Sequence, residues 1–122
     1  MKSVCFCGSY RFLVEMNDAA AALAARGVRC RWPKGEQLPD PKTMPAEQTR
    51  AALLAYLTDI DSADALYVFN RGGYLGRSML VDIGYAYAKG KPVYSLEVIE
   101  DEFLSHMIIA TVSLEDLPDL LR

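Results

Sequence analysis

The chain has 122 residues, 52% of them hydrophobic and 24% charged, with a formal net charge of −3 at pH 7. That length can bury a core without metal or disulfide support, and the acidic balance argues against a nucleic-acid-binding module, which is usually clearly basic. No apolar run approaches the roughly 20 residues of a membrane span, and the opening MKSVCFCGSY meets glycine too soon for a signal peptide. A cytoplasmic protein with no nucleic-acid or membrane partner is expected.

Short apolar runs alternate with helical patterns along one domain, 1–122. KSVCFC (2–7) reads as a buried strand ended by Gly8 and Ser9. The alanine-rich segment 11–27 reads as a helix closed by Gly27, and VRCRW (28–32) as a second strand. Four prolines and a glycine between Pro33 and Pro45 predict a loop, of a length that is often functional. A helix over 46–60 leads into an apolar strand, 63–70. The loop RGGYLG then opens a helix over 77–89, closed by Gly90. A strand over 91–96, a helix over about 99–108 and a short strand over 108–112 follow. SLEDLPDLLR finishes the chain, with Ser113 and Asp116 spaced as a capping box and Pro118 set to shorten the helix.

Strands alternating with helices imply parallel β-α-β units with right-handed crossovers. The predicted fold is therefore α/β and three-layered, flavodoxin-like or Rossmann-like, with a five-stranded parallel sheet in the order 2-1-3-4-5. Cys5 and Cys7 alternate along the first strand, so both face one side of it. Cys30 lies in the second strand. Buried, reduced thiols are expected, with no disulfide. His106 is the only histidine, so no metal site is expected, and nothing calls for a cofactor. His106 itself reads as a surface or interface residue rather than a general acid.

In such sheets ligands bind beyond the carboxyl ends of the strands, where the strand order reverses. That rule gathers Gly8, Ser9, Tyr10 and Arg11 after the first strand, Asn70 to Ser78 after the third, and Ser95 and Glu97 after the fourth. Gly72, Gly73 and Gly76 would let backbone N–H groups approach a ligand, and a helix starting near Arg77 adds its free N–H groups and positive dipole end. Ser78 offers a hydroxyl and Arg11 a forked guanidinium suited to phosphate. The glycines fit an anion cradle and an ordinary tight turn equally well. Asp82 stands one helical turn after Ser78 on the same face. Its neighbours Leu80, Val81, Ile83 and Ala86 are apolar, which suits a functional carboxylate; the plain alternative is an acid balancing the helix dipole.

GSYRF after the first strand, DIDSADALYVFN into the third, and GGYLGRSMLVDIGYAYAKGKPV resemble the nucleoside 2-deoxyribosyltransferase superfamily, which includes the 2'-deoxynucleoside 5'-monophosphate N-glycosidases. The resemblance runs from the first strand through LSHMIIA (104–110) and is strongest over 60–93. It implies cleavage or transfer at the N-glycosidic bond of a deoxynucleoside or its 5'-monophosphate, through a carboxylate that attacks the anomeric carbon. Asp82, in VDIGYA, falls at the nucleophile position. Ser9 and Arg11 match a phosphate-binding turn, and Gly73, Gly76 and Ser78 the loop that holds the 5' end of the ligand. LSHMI resembles a segment that reaches the neighbouring subunit's site, so Ser105 and Met107 would serve a partner in a homodimer or higher homo-oligomer.

Three positions depart from the family's pattern. The nucleophile is usually glutamate, and aspartate is shorter by about 1.5 Å, when a misplacement of about 1 Å can cost about a hundredfold in rate. Tyr56 stands where a pocket aspartate is common, and Arg77 where glutamate is common. Trp32, Tyr56 and Tyr74 are expected around the base, with Trp32 and the proline loop either covering it or forming an ordinary surface loop. Tyr10, Tyr56 and Tyr74 are the nearest general acids by type, though stacking or packing explains each as well. Two other readings compete: a nucleotide- or sugar-phosphate-binding domain without catalysis, and a phosphoribohydrolase of the lonely-guy type. The second lacks that group's proline, threonine and glutamate in NRGGYLGRSMLVD.

Overall fold

A computed structural model describes residues 2–31 and 43–121. Strand β1 (Lys2–Gly8) leads through a 3₁₀ turn at Tyr10–Phe12 into helix α1 (Leu13–Ala25), and then β2 (Val28–Arg31). Helix α2 (Ala46–Ser62) precedes β3 (Ala65–Phe69), and α3 (Arg77–Ala88) precedes β4 (Val93–Ser95). The chain closes with β5 (Ala110–Thr111) and a four-residue helix, α4 (Leu117–Leu120). All pairings are parallel, as the alternation of elements implies, and the order is the expected β2-β1-β3-β4-β5.

The period of two along each strand divides the core into two. Val4 and Phe6 of β1, with Tyr67 and Phe69 of β3, face Met16 and Leu23 of α1 and Leu117 and Leu121 at the end of the chain. Cys5 and Cys7, with Leu66 and Val68, face the other way, onto Ile60 of α2 and Met79, Ile83 and Ala86 of α3. Every residue of β3 is buried, which is why its run of apolar residues shows no alternation. The register Phe6↔Tyr67 and Gly8↔Phe69 brings the carboxyl ends of β1 and β3 level, at the reversal point of the strand order.

The ends of the elements differ from expectation where side chains intervene. Instead of a helix over about 99–108 there is one 3₁₀ turn, Leu104–Met107. The Asp101 carboxylate accepts from the backbone N–H groups of Phe103 and Leu104, 2.9 Å each, and holds the preceding backbone in a turn of its own. At the end of the chain the Asp116 N–H donates to Ser113 Oγ at 3.2 Å, half of the expected capping box. Pro118 confines the helix start to its own neighbourhood, because proline fits only a helix's first turn. Gly27 and Gly90 follow α1 and α3 with positive φ, the left-handed conformation that ends helices.

Candidate functional site

The carboxyl edge of the sheet carries a cleft of about 310 Å³ between the turn after β1, helix α2 and the start of α3. Gly8, Ser9 and Tyr10 form one wall, Tyr56 comes from α2, and Tyr74, Gly76, Arg77, Ser78 and Met79 close it. Six predicted site residues from β1, the glycine loop and α3 thus meet: Gly8, Ser9, Tyr10, Tyr74, Gly76 and Ser78. Tyr56 joins them from a helix far away in sequence.

Local chemistry explains the walls. A Cβ on Gly8 would sit 2.7 Å from Met16 Sδ and 3.3 Å from Phe69 Cβ. A larger residue there would force the buried Met16 side chain to shift and crowd Phe69. Ser9 caps the turn, its Oγ accepting from the Arg11 N–H at 3.3 Å. Arg11 does not line the cleft; its guanidinium stacks on the Tyr74 ring at the rim, 4.2 Å from the centroid, a cation–π contact. Tyr74 in turn meets Phe12 edge-on at 6.5 Å.

The glycine loop divides between the two readings left open by its sequence. Gly72 and Gly73 both have positive φ, so the turn itself requires glycine at each. Their N–H groups are engaged within the chain, Gly72 with the Glu97 carboxylate at 2.7 Å and Gly73 with the Asn70 carbonyl at 2.8 Å. Neither lines the cleft. The side chain of Asn70, fully buried, donates to the Glu97 carbonyl and accepts from the Glu97 N–H, splicing the loop onto the segment after β4. What faces the cleft is the N-terminal turn of α3. There Arg77 and Ser78 bring a cation, a hydroxyl and backbone N–H groups that an α-helix leaves without internal partners.

Asp82 lies one turn further along α3, 7% exposed, behind this wall. Burial pushes its carboxyl up from the usual carboxylate range to about 7, the nearby Cys7 thiol pulling the other way, and that thiol donates to the Met79 carbonyl at 3.6 Å. Burial holds Tyr56 protonated far above the usual tyrosine range, with Tyr10 beside it in the wall of the cleft. Asp82 and Cys7 both act electrostatically on Tyr56, which lines the cleft. Met79 lines the cleft and Cys7 packs behind it, and the sequence singles out neither as a site residue. The alternation that turns Cys7 toward α3 is legible there; its contact with Met79 is not.

Other expected residues lie elsewhere. Trp32 and most of the proline loop fall outside the described residues. Ser105 donates to the Glu102 carbonyl at 3.1 Å, and Met107 packs half-buried on the core between the sheet and α3. His106 is exposed. Near the end of α2, Asp59 turns toward Arg31 at 3.9 Å and Asp61 toward Tyr85 and Lys89 at 2.9 and 3.8 Å. Among the described residues there is no grouping of three or more metal-ligating side chains, and no helix is long and apolar enough to cross a membrane. The three cysteines are unpaired; burial raises Cys5 to about 12 and Cys30 to about 11.

The same architecture occurs in solved structures. A 2-deoxyribosyltransferase from Bacillus psychrosaccharolyticus superposes with a TM-score of 0.71 at 18% identity, over 96% of this chain and 90% of that one. The chain has the fold of a 2-deoxyribosyltransferase. A conserved protein from Enterococcus faecalis V583 superposes at 0.69 with 19% identity, covering 98% and 96% of the two chains. A CMP N-glycosidase from Clostridium botulinum gives 0.60 at 15% identity, covering 98% and 97%. No protein-family model matches the sequence, and no curated protein does.

Proposed function

We propose that this protein breaks, or transfers the sugar across, the N-glycosidic bond of a deoxynucleoside or deoxynucleoside 5'-monophosphate, with Asp82 as nucleophile. The observation that carries the reading is Asp82 itself: a buried carboxyl poised near neutrality, one helical turn from the cleft-lining Ser78. Desolvated, isolated acids of this kind concentrate at functional sites. The fold shared with a 2-deoxyribosyltransferase and a CMP N-glycosidase supports the reaction class.

In this reading the Asp82 carboxylate attacks the anomeric carbon as the carbon–nitrogen bond breaks, and that bond's electron pair leaves on the base. An ionised carboxylate beneath the ring stabilises the oxocarbenium-like charge on the way. Water, or a second base, then displaces the carboxylate from the sugar. Arg77, Ser78 and the helix N-terminus suit a 5'-phosphate, with Gly8, Ser9 and Gly76 shaping its approach. Tyr56 keeps its proton and can donate a hydrogen bond into the cleft. Gly72 and Gly73 act through the shape of the loop, and Arg11 holds Tyr74 at the rim. No cofactor enters any step.

The test is release of free base from each deoxynucleoside 5'-monophosphate, with the nucleosides, the ribonucleotides and CMP alongside. Release that Asp82→Asn abolishes, in a folded variant, is expected. Unchanged release in that variant would sink the assignment, and preference for ribonucleotides would favour a phosphoribohydrolase. A second reading, a nucleotide-binding domain without turnover, is favoured by the shortness and depth of Asp82. It expects thermal stabilisation by nucleotides with no base released.

We assign the protein to homodimers, in which Ser105 and Met107 serve the partner's cleft. Leu53 and Leu54 of α2 and Leu80 and Val81 of α3 are exposed on one side of the sheet, an apolar surface that a second copy would cover. Sedimentation equilibrium checks this; a fully active monomer overturns it. Three reduced thiols suit the cytoplasm, where cell fractionation is expected to find the protein.

A further inference from the structure

Helix α3 starts at the cleft without a cap of its own. Its N-cap residue is Gly76, which makes no side-chain hydrogen bond to the first turn. The N–H groups there stay open to a ligand, and their placement falls to the packing of α3 and to the loop before it. That loop is tied to the segment after β4. The β3–β4 ladder ends at Val68↔Ser95 and one further bond, from the Leu96 N–H to the Val68 carbonyl at 2.9 Å. Beyond it the fully buried Asn70 side chain stands in for the strand, donating to the Glu97 carbonyl at 3.0 Å and accepting from the Glu97 N–H at 2.9 Å. The Asn70 backbone can then leave the sheet, and its carbonyl accepts from the Gly73 N–H at 2.8 Å to close the turn. The Glu97 side chain reaches back across this turn, its carboxylate accepting from the Gly72 N–H at 2.7 Å.

We propose that Glu97 is a positioning residue for phosphate recognition: by holding Gly72 it sets the glycine loop, and through the loop the Arg77–Ser78 turn that receives a 5'-phosphate. The proposal rests on the reading of that turn as the phosphate subsite. The 2.7 Å bond is charge-assisted, the strong kind, and it grips a residue whose positive φ shapes the loop. Arg71 pairs with Glu15 of α1 at 2.9 Å and lies 4.0 Å from the Glu97 carboxylate, a cation that offsets the charge Glu97 brings to this edge. Glu97 itself does not line the cleft, so it acts through the loop and not on the ligand. By its charge alone, a carboxylate at this edge would oppose an incoming phosphate. Holding the loop and repelling the ligand therefore have opposite signs, and substitution separates them.

The test compares wild-type protein with Glu97→Ala, Glu97→Gln and Glu97→Asp. Glutamine keeps an acceptor at the same reach without the charge; aspartate keeps the charge but falls short by about 1.5 Å. KM is measured for a deoxynucleoside 5'-monophosphate and for its nucleoside, or Kd by calorimetry where no base is released. Alanine and aspartate are expected to weaken the monophosphate about tenfold, with the nucleoside and kcat little affected, and glutamine to restore most of the loss. Monophosphate binding that is unchanged or tighter in Glu97→Ala overturns the proposal, because loss of repulsion alone would give that result. Equal losses for both ligands overturn it as well. The amide NMR resonances of Arg77 and Ser78 give a second readout that needs no ligand. They should move in the alanine and aspartate variants and keep their places in the glutamine variant; resonances unmoved in Glu97→Ala overturn the proposal. A wild type that binds neither ligand would refute the phosphate subsite, while these resonances still decide whether Glu97 sets the turn.

Discussion

Replacing Asp82 by asparagine keeps the shape of the side chain and removes its charge. The wild-type carboxyl moves from 3.8, its ordinary value, to about 7 on folding, because the 7%-exposed site desolvates the anion. A group whose folded-state value is raised favours the native state while it is protonated. Its contribution is fully present below 3.8 and is lost as pH rises through about 7, because over that window the native state binds the proton that the unfolded state has released. A shift of about three units corresponds to about 4 kcal/mol. Asparagine has no such dependence. Urea unfolding of both proteins from about pH 4 to about pH 8 should therefore show the variant gaining about 4 kcal/mol relative to wild type. With a slope of about 2 kcal/mol per molar, the two midpoints separate by about 2 M more at the alkaline end than at the acid end. All other titrations cancel in the difference. A difference that stays constant across the range, within about 1 kcal/mol, would falsify the claim that this carboxylate is held against its own solvation.

Three further outcomes are expected. Because the nucleophile must be ionised, kcat should rise with pH and level off above about 7, as base-release rates across the range would show; a flat profile speaks against Asp82 in that role. Arg77→Ala should weaken binding of 5'-monophosphates about tenfold while leaving nucleosides almost unaffected, measured as KM for each pair; equal losses for both would remove the phosphate from Arg77. Gly8→Ala should lose about 1–3 kcal/mol, the usual cost of overpacking a core, since its Cβ would collide with Met16 Sδ. Thermal melts check that, and an unchanged melting temperature would mean Met16 can move aside.

The architecture was legible because each strand and helix declares its period locally. The apolar runs at 2–7 and 63–70, and the glycines closing helices at 27 and 90, were enough to imply β-α-β units, and the strongly apolar first strand suggested the 2-1-3-4-5 order. The same alternation turned Cys5 and Cys7 to one side, and the reversal point of the strands selected the edge where Ser9, Tyr10 and Ser78 meet. The helix expected over 99–108 cannot begin before Asp101, whose carboxylate caps the N–H groups of Phe103 and Leu104, and one 3₁₀ turn follows it.

Tertiary structure alone decided who meets whom at that edge. Sequence could place glycine at 72 and 73 but not say that Glu97, far along the chain, would occupy the N–H of Gly72. It could place Asp82 on an apolar helix face, but not that Cys7 of β1 would act on its charge or that Tyr56 of α2 would join the cleft. Period and propensity are properties of neighbours along the chain. Desolvation, and with it the charge state of Asp82, is set by atoms that only folding brings together.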